Sequence, residues 1–358
     1  MNRRDWIALA GSAALAADVK PEVAADIVRL KLKHTWTTTM SSSEYRDTLH
    51  FRYTSGGITG RGEGAPIVRY KESAETGRQA IASIANMLAS ADPWKYRKIL
   101  QEVFAKLPGE WAAKSAIDIA LHDWIGQKLG TPLYRYFGLD SADAPITTFS
   151  IGIDTPEITK QKVLEAEPYP ILKIKVGLDK DESTLEAIRS VTKKPLRLDA
   201  NEGFPSKEEA VRKINWLESL GAQFIEQPLP AHMLEEQKWV RSRVHIPILA
   251  DEACLRAEDI PKIAGAYDGV VIKLDKTGGL LGALQMIHTA RSHGLKTMLG
   301  CMVSSSVTIT AAAQLSPLVD FADLDGNLLI ANDPFQGVRV VNGKLVLPDK
   351  PGLGLSKI

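Results

Sequence analysis

The sequence predicts an α/β protein that contains a (β/α)8 barrel, in the form of a modified TIM barrel, together with an N-terminal α+β capping domain. From about residue 145, eight short apolar segments alternate with longer amphipathic stretches, as consecutive right-handed βαβ units do. Polar residues recur at the C-terminal ends of nearly all eight segments, where barrel active sites are built. This second observation favours a closed barrel over an open, doubly wound sheet, which is the structural alternative.

Residues 1–17 are typical of an export signal. Arg3 and Arg4 precede an apolar run of small residues over 6–15, and Ala14-Leu15-Ala16 supplies an A-x-A cleavage pattern. The paired arginines resemble a twin-arginine signal, and the run is too short to remain as a membrane span. We therefore expect a periplasmic or exported protein. The alternative is a frayed first helix on a cytoplasmic protein.

Residues 26–135 are predicted to form the α+β cap. Alternating β-branched and aromatic residues over 26–53 predict two strands joined by a long loop over 37–46, and Gly56-Gly57 marks a turn after them. Apolar residues then recur at helical spacing over 72–130, and Gly130 ends the last of these helices.

Residues 145–335 are predicted to form the catalytic barrel. Helical patterns separate most of its strands, as at 184–191, 208–220 and 281–293. In the tail, residues 336–358, Asn342-Gly343 between two apolar runs predicts a hairpin that packs on the cap. The predicted barrel strands are 147–153, 171–176, 196–200, 224–227, 248–251, 270–274, 296–299 and 321–325.

Composition excludes several classes of partner. In the 358 residues, Lys and Arg total 44 and Asp and Glu total 43, so no global field attracts nucleic acid or an anionic membrane. The two cysteines, Cys254 and Cys301, lack the spacing of a disulfide framework or a zinc site. We expect a small-molecule substrate and a homo-oligomer.

Three carboxylates follow successive predicted strands at intervals of one βα repeat: Asp199, Glu226 and Asp251. Neighbouring strand ends meet at one mouth of a barrel, so three oxygen ligands would surround a hard cation there. One acidic residue after a strand is usually a helix cap, but three in register predict a site for one Mg²⁺ per subunit.

Three lysines are predicted to enter the same mouth. Lys173 and Lys175 are two residues apart on one strand and therefore share a face; the alternative is an exposed edge strand. Lys273 lies four strands further round, on the opposite wall. A planar enolate between Lys175 and Lys273 could be protonated on either face, and Lys173 would lower the pKa of Lys175.

The order Lys-x-Lys, Asp, Glu, Asp, Lys on consecutive strands resembles the enolase superfamily, in its muconate-lactonizing subgroup, from about Asp26 to the end of the chain. The resemblance implies that Lys175 and Lys273 are the acid/base pair and that Lys173 is the supporting charge. It also implies that the three carboxylates bind magnesium.

At the last predicted strand, Asp323 and Asp325 resemble the Asp-x-Asp feature with which dipeptide epimerases of this subgroup hold a substrate ammonium. Segments 62–66, 69–72 and 299–302 also resemble these dipeptide epimerases. The resemblance implies epimerisation at the C-terminal residue of a dipeptide, whose C-terminal carboxylate would bind the metal.

The side chain of the substrate's second residue is predicted to be uncharged or apolar. Segment 34–41 lacks the Arg or Lys that Ala-Glu epimerases place there, and Ser304 stands where many relatives carry Glu. Trp36, Met40 and Met302 are the other candidate substrate contacts.

Other functions stay open from sequence alone. On the same scaffold they are a cycloisomerase, an o-succinylbenzoate synthase or an N-acylamino acid racemase, whose substrates lack the ammonium that Asp323 and Asp325 would bind. The alternative of another class is a non-catalytic periplasmic binding protein, which has no need of opposed lysines.

Overall fold

The computed structural model describes residues 20–38, 42–178 and 181–358. The predicted export signal, residues 1–17, lies outside these residues, and so does Met40. None of the helices in the described ranges is both long and apolar enough to cross a membrane.

The cap begins with a three-stranded antiparallel sheet, followed by four helices. The strands are β1 (Glu22–Thr37), β2 (Ser42–Ser55) and β3 (Ile58–Gly64), in that order. The helices are α1 (Ala74–Leu88), α2 (Tyr96–Lys106), α3 (Trp111–Leu129) and α4 (Leu133–Tyr136).

The prediction of a long loop over 37–46 is wrong. Trp36 pairs with Ser43 and Thr37 with Ser42, so the pairing of β1 and β2 extends to Thr37 and Ser42. Polar residues fill this part of the hairpin because both of its faces are at least partly exposed. The hydrophobic alternation that marks a strand is therefore missing.

The third strand, β3, packs its glycines directly against helix α3. A Cβ atom added at Gly60, Gly62 or Gly64 would lie 2.0, 1.9 or 2.0 Å from a backbone oxygen of α3. Strand and helix therefore touch backbone to backbone. Alternating glycines weaken the strand signal in the sequence, which explains why β3 was not predicted.

Helix α3 is buried on all sides, from Ala112 to Gly126. The cap sheet covers one side and the barrel helices cover the other, so the helix shows no single apolar stripe. It ends where predicted, at Gly130, whose φ of 66° is the left-handed conformation of a helix C-cap.

All eight predicted barrel strands are present, and each is parallel to its neighbours in chain order. Thr147 bridges Ala322 and so joins the first strand region to the last, which confirms the closed barrel over an open sheet. The strands are β4 (Phe149–Ile151), β5 (Leu172–Lys175), β6 (Leu196–Asp199), β7 (Ala222–Glu226), β8 (Ile248–Ala250), β9 (Gly269–Ile272), β10 (Lys296–Leu299) and β11 (Phe321–Ala322).

Helices cover the outside of the barrel, and the three predicted at 184–191, 208–220 and 281–293 are confirmed within a few residues. Their apolar faces form one core with the outer faces of the strands. These helices are α5 (Pro156–Glu165), α6 (Asp181–Arg189), α7 (Lys207–Ser219), α8 (Leu234–Arg241), α9 (Ile260–Ile263), α11 (Leu280–Ser292) and α12 (Ser306–Ala313). The short, buried helix α10 (Leu274–Thr277) instead lies at the mouth, directly after Lys273.

A layer of large apolar side chains fills the inside of the barrel below its mouth. Three of its members lie two residues before Glu226, Asp251 and Lys273, and so share their inward direction. The mouth is therefore a cup with a closed floor rather than a channel. The layer consists of Phe224, Leu249, Val271 and Met298.

The predicted C-terminal hairpin is confirmed, with Asn342 and Gly343 at φ 50° and 77° in its turn. The predicted packing of the hairpin on the cap is wrong: the hairpin lies against the barrel, because its buried Leu345 joins the barrel core and Gly343 O accepts from Thr147 N at 2.9 Å. The segment after it contacts the cap, where Leu353 N donates to Asp123 Oδ1 at 2.8 Å. The tail strands are β12 (Phe335–Gln336), β13 (Arg339–Val341), β14 (Lys344–Val346) and β15 (Ser356–Lys357).

Two buried carboxylates of the cap hold barrel helices by their N-termini. Glu63 in β3 accepts from two backbone N–H groups at the start of α12, at 2.9 and 3.1 Å. Asp118 in α3 accepts from two at the start of α11, at 3.0 and 3.2 Å. These N–H groups have no partner within their own helices, so the cap completes the barrel's hydrogen bonding.

We predict that Gly62→Ala lowers the free energy of unfolding by at least about 2 kcal/mol, because the added methyl must push β3 away from α3. Thr59→Ala on the same strand is the control. It removes a 2.9 Å contact with Thr54 Oγ1 and should cost about 1 kcal/mol or less. Thermal denaturation of both variants checks this, and equal stability of Gly62→Ala and the unmodified protein would contradict the packing.

Candidate active site and metal centre

The register of the barrel strands places the predicted catalytic and acidic residues together. Lys175 is the strand partner of Asp199, and Asp199 is the partner of Glu226. Asp251 directly follows β8 and Lys273 directly follows β9. All five therefore lie at the carboxyl ends of their strands, around one mouth.

The acidic triad of Asp199, Glu226 and Asp251 has the geometry of a metal site. One ligand atom from each lies within 4.8 Å of the others, and all three residues are buried. Burial raises the pKa of Glu226 to about 8, and the nearby Asp199 and Asp251 add to the rise against the effect of Lys173. A hard divalent cation with a preference for oxygen, such as Mg²⁺, fits this donor set.

Lys173 lies at the centre of the buried charges. Its Nζ is 3.1 Å from Asp199 Oδ2, 2.9 Å from Glu226 Oε1 and 2.7 Å from Asp323 Oδ2. Burial disfavours its ammonium, but the three carboxylates outweigh burial and raise the pKa of Lys173 well above its usual value. Lys173 therefore connects the triad to Asp323.

The other two lysines face each other across the mouth. Lys175 Nζ donates to Asp199 Oδ2 at 2.6 Å and to Asn201 Oδ1 at 3.0 Å, and Lys273 Nζ donates to Asp251 Oδ2 at 2.8 Å. Their strands, β5 and β9, are four apart in the closed eight-stranded sheet, so the two amines come from opposite walls.

Asp323 and Asp325 share the inward face after β11 but have different partners. Asp323 is held by Lys173 and by the Thr148 hydroxyl. Asp325 Oδ2 accepts from Ser150 N at 2.6 Å, and burial, with Asp323 beside it, raises the pKa of Asp325 to about 7. Asp325 has no ion-pair partner in the described part of the chain and is the freer of the two.

A cavity of about 420 Å³ opens over these groups between the barrel mouth and the cap. Among the predicted substrate contacts, Trp36 and Met302 line it together with Asp323 and Asp325. The structure does not bring Ser304 to the cavity. Ser304 is fully buried, and its hydroxyl donates to Met302 O at 2.8 Å because it serves the turn that follows β10.

Two polar residues contribute more to the site than the sequence indicates. Lys276, three residues after Lys273, donates to Val271 O at 2.9 Å and to Asp251 Oδ1 at 2.5 Å. Asn201 contacts Lys175 from the strand end that carries Asp199. The position of Asn201, two residues after Asp199, was the available signal.

The cap also supplies two arginines to the cavity wall, Arg46 from β2 and Arg69 from the loop after β3. Arg69 forms an ion pair with Glu202, which follows β6, and so ties the cap to the barrel rim. The sequence does not predict either arginine as a cavity residue. For Arg46 the reason is that the strand pairing that brings it to the mouth lies in the polar stretch 37–46, which predicts a loop.

A barrel whose mouth carries a buried acidic triad between opposed lysines, beneath an α+β cap, defines an enzyme of the enolase type. Residues 158–356 match the model of the enolase C-terminal domain-like family, and residues 23–138 match that of the mandelate racemase / muconate lactonizing enzyme N-terminal domain. The chain belongs to the mandelate racemase / muconate lactonizing enzyme family of the enolase superfamily, which confirms the resemblance in the sequence.

Similar proteins in this family are epimerases. The chain is 42% identical to an L-Ala-D/L-Glu epimerase of Bacteroides thetaiotaomicron over 92% of this chain and 86% of the relative. It is 41% identical to an L-Ala-D/L-amino acid epimerase of Pedosphaera parvula over 90% and 96%. A dipeptide epimerase from Enterococcus faecalis, crystallised with Mg and L-Leu-L-Tyr, superimposes with a TM-score of 0.88 at 33% identity, covering 94% and 99%. The protein is therefore an isomerase of the racemase and epimerase class.

We predict that Mg²⁺ raises the melting temperature of the unmodified protein and that Asp199→Asn removes this rise. A ligand at 100 times its Kd stabilises by about 2.7 kcal/mol, and the variant loses one of three anionic ligands. Asp320→Asn is the matched control, since Asp320 serves Thr297 N at the opposite end of the barrel. A full Mg²⁺ response in Asp199→Asn would contradict the assignment.

Proposed function

We propose that the protein is a Mg²⁺-dependent dipeptide epimerase that inverts the α-carbon of the C-terminal residue. One observation carries the proposal: Lys175 and Lys273 reach one cavity from opposite walls, with the acidic triad between them and Asp325 at its edge. The names of the similar epimerases support the same reaction.

The metal would be held by Asp199, Glu226 and Asp251. When bound, it would neutralise the substrate carboxylate and stabilise the negative charge that develops there as the α-proton leaves. Lys276 keeps Asp251 in place through its contacts to the carboxylate and the backbone of that residue. Lys173 holds Asp199 and Glu226 through its ammonium, which is a positioning role.

The two opposed lysines divide the proton transfer between the two faces of the α-carbon. In one direction Lys175 removes the proton and Lys273 donates one to the other face; in the reverse direction the roles exchange. Inversion needs an acid and a base on opposite sides of the carbon, and a single lysine can only return a proton to the face that lost it. The opposite walls of a closed barrel meet this requirement.

The substrate's ammonium would lie at Asp325, with Asp323 beside it. Asp325 Oδ2 is already oriented by Ser150 N, and Oδ1, whose contact is the Cys301 thiol at 4.0 Å, is the oxygen that would meet the ligand. A buried carboxylate next to another carboxylate favours a cation strongly, because each anion repels the other. This feature selects a free amino group and therefore a dipeptide over an N-acylated amino acid.

The prediction of an uncharged second residue depended on the lack of Arg or Lys in segment 34–41 and on Ser304. A cationic side chain outside that segment, Arg46, lines the cavity. The proposed function therefore does not restrict the second residue to uncharged or apolar side chains.

We predict that Lys175→Ala and Lys273→Ala each lower the rate of inversion by about 10³-fold, because each loses a general acid/base group. In deuterated water, α-hydrogen exchange of one enantiomer should survive in one variant, and mass spectrometry with chiral separation measures both events. Lys213→Ala is the control, since this buried lysine pairs with Asp181 and Glu182 outside the cavity. Undiminished inversion in either site variant, or no exchange with any dipeptide, would contradict the proposal.

We predict that Asp325→Asn raises KM for a dipeptide with a free amino group by at least about tenfold, because it removes a charged hydrogen-bond acceptor. The N-acetylated form of the same dipeptide should be a poor substrate of the unmodified protein and should lose little further in the variant. Steady-state kinetics with both substrates checks this. Equal losses for the two would show that Asp325 does not select the ammonium.

A further inference from the structure

A smaller cavity, the junction cavity, lies beside the main one, between the cap and the barrel. Its volume is about 180 Å³. Tyr70 and Lys276 line both cavities and therefore mark the boundary between them. The cap contributes Trp111, the first residue of α3, and the barrel contributes Arg256, from the loop after β8. The Lys276 ammonium is already engaged by Asp251, so the free cation of this wall is Arg256.

Arg256 presents a set of unused hydrogen-bond donors. Its Cζ lies over the Trp111 ring, 4.2 Å from the ring centre. The N–H groups of a guanidinium point outward in its own plane, so contact with a ring leaves them available. Among the residues that the structure describes, Arg256 has no ion-pair partner, and its guanidinium donates no hydrogen bond.

The loop that carries Arg256 is held in place. The backbone N–H groups of Leu255 and Arg256 both donate to Asp259 Oδ2, at 3.1 and 3.2 Å. The guanidinium therefore starts from a fixed backbone and from an aromatic surface. A ligand that binds to it loses little freedom of the protein, which favours binding.

Lys114 adds a second cation to the same indole ring. It is 2% exposed, and its Nζ lies 3.9 Å from the centre of the Trp111 ring and 4.8 Å from that of Phe104. In the described ranges it too has no carboxylate within ion-pair distance. Burial lowers the pKa of Lys114 to about 8, and the nearby Arg256 adds to this effect while Glu72 opposes it.

Glu72 is the carboxylate of the junction cavity wall, and its oxygens are already in use. They accept from Trp111 N at 2.8 Å and from Ala112 N at 3.2 Å, at the start of α3. The positive end of the helix thus balances this carboxylate. Arg256 and Lys114 leave the wall with an excess of positive charge, and a poorly hydrated cation without an anion is costly. An anionic ligand would supply the missing partner.

We propose that the junction cavity is a second ligand site, separate from the main cavity, that binds a small oxyanion through the free edge of Arg256, with Lys114 adding charge. Phosphate and carboxylate groups share the required chemistry, because each offers two oxygens to the guanidinium fork. The cavity has less than half the volume of the main one, which suits a small anion. A bound anion would connect helix α3 of the cap to the barrel loop that begins at Asp251. The proposal does not depend on the proposed function.

The test is isothermal titration calorimetry of the Mg²⁺-saturated full chain with inorganic phosphate and, separately, with succinate, at constant ionic strength. The unmodified protein should bind at least one of them with a Kd of about 1 mM or lower, and the tighter ligand identifies the source of the oxyanion. Arg256→Gln should raise this Kd at least about tenfold, because charge-assisted hydrogen bonds are lost. Arg256→Lys, which keeps the charge without the fork, should give an intermediate Kd.

Arg243→Gln is the matched control. Arg243 also lies over an indole ring, that of Trp239 at 4.0 Å, but outside the junction cavity. This variant should leave the Kd unchanged. Lys114→Met should raise the Kd by about threefold or more, because it removes the second positive charge.

Three results would overturn the proposal, and none of them bears on epimerisation. One is that neither anion binds the unmodified protein. Another is equal binding by Arg256→Gln, which would locate the anion elsewhere, for example on the metal of the main cavity. If Arg256→Gln does not fold, as judged by circular dichroism, Arg256→Lys and Lys114→Met decide the matter, and an unchanged Kd in both contradicts the site.

Discussion

The register between β5, β6 and β7 is the constraint on which the site depends. It sets Lys175, Asp199 and Glu226 side by side as strand partners. Side chains alternate between the two faces of a strand. A shift of the strand pairing by one residue would therefore turn all the polar groups of that strand away from the mouth and into the apolar layer between the strands and the helices. The buried faces on both sides of the sheet prevent that slip, so core packing fixes the chemistry.

Within that register, Lys173 is the cation that several buried carboxylates of the mouth share. Its single ammonium contacts two members of the acidic triad and also Asp323. The metal end and the ammonium end of the proposed substrate are consequently not independent sites. A change in the charge at one end alters how strongly Lys173 interacts with the carboxylates at the other end. This is the behaviour of any buried network of charges in a low-dielectric interior.

The barrel could be predicted from sequence because each of its units is local. A short apolar strand, an amphipathic helix and a polar residue at the strand end are all visible within about 30 residues, and the lysines and the triad occupy such strand ends. The cap depends on pairing that is distant in sequence. Glycines conceal β3, and polar residues conceal the hairpin of β1 and β2, so nothing local indicates that Arg46 reaches the cavity. Ser304 belongs to the barrel, and its side chain turns away from the cavity because its hydroxyl bonds to Met302 O in the turn after β10.

The carboxylates Glu63 and Asp118 lie in the cap but complete the hydrogen bonds of α12 and α11 in the barrel. Cap and barrel are therefore not interchangeable modules, although the cap supplies much of the cavity wall. In a chimera that takes its cap from another protein, the backbone N–H groups at the start of α11 and α12 would lack acceptors unless the donor cap carries acidic groups at the same two places. Natural diversification of substrate range in this architecture is accordingly easier through single wall residues than through exchange of the whole cap.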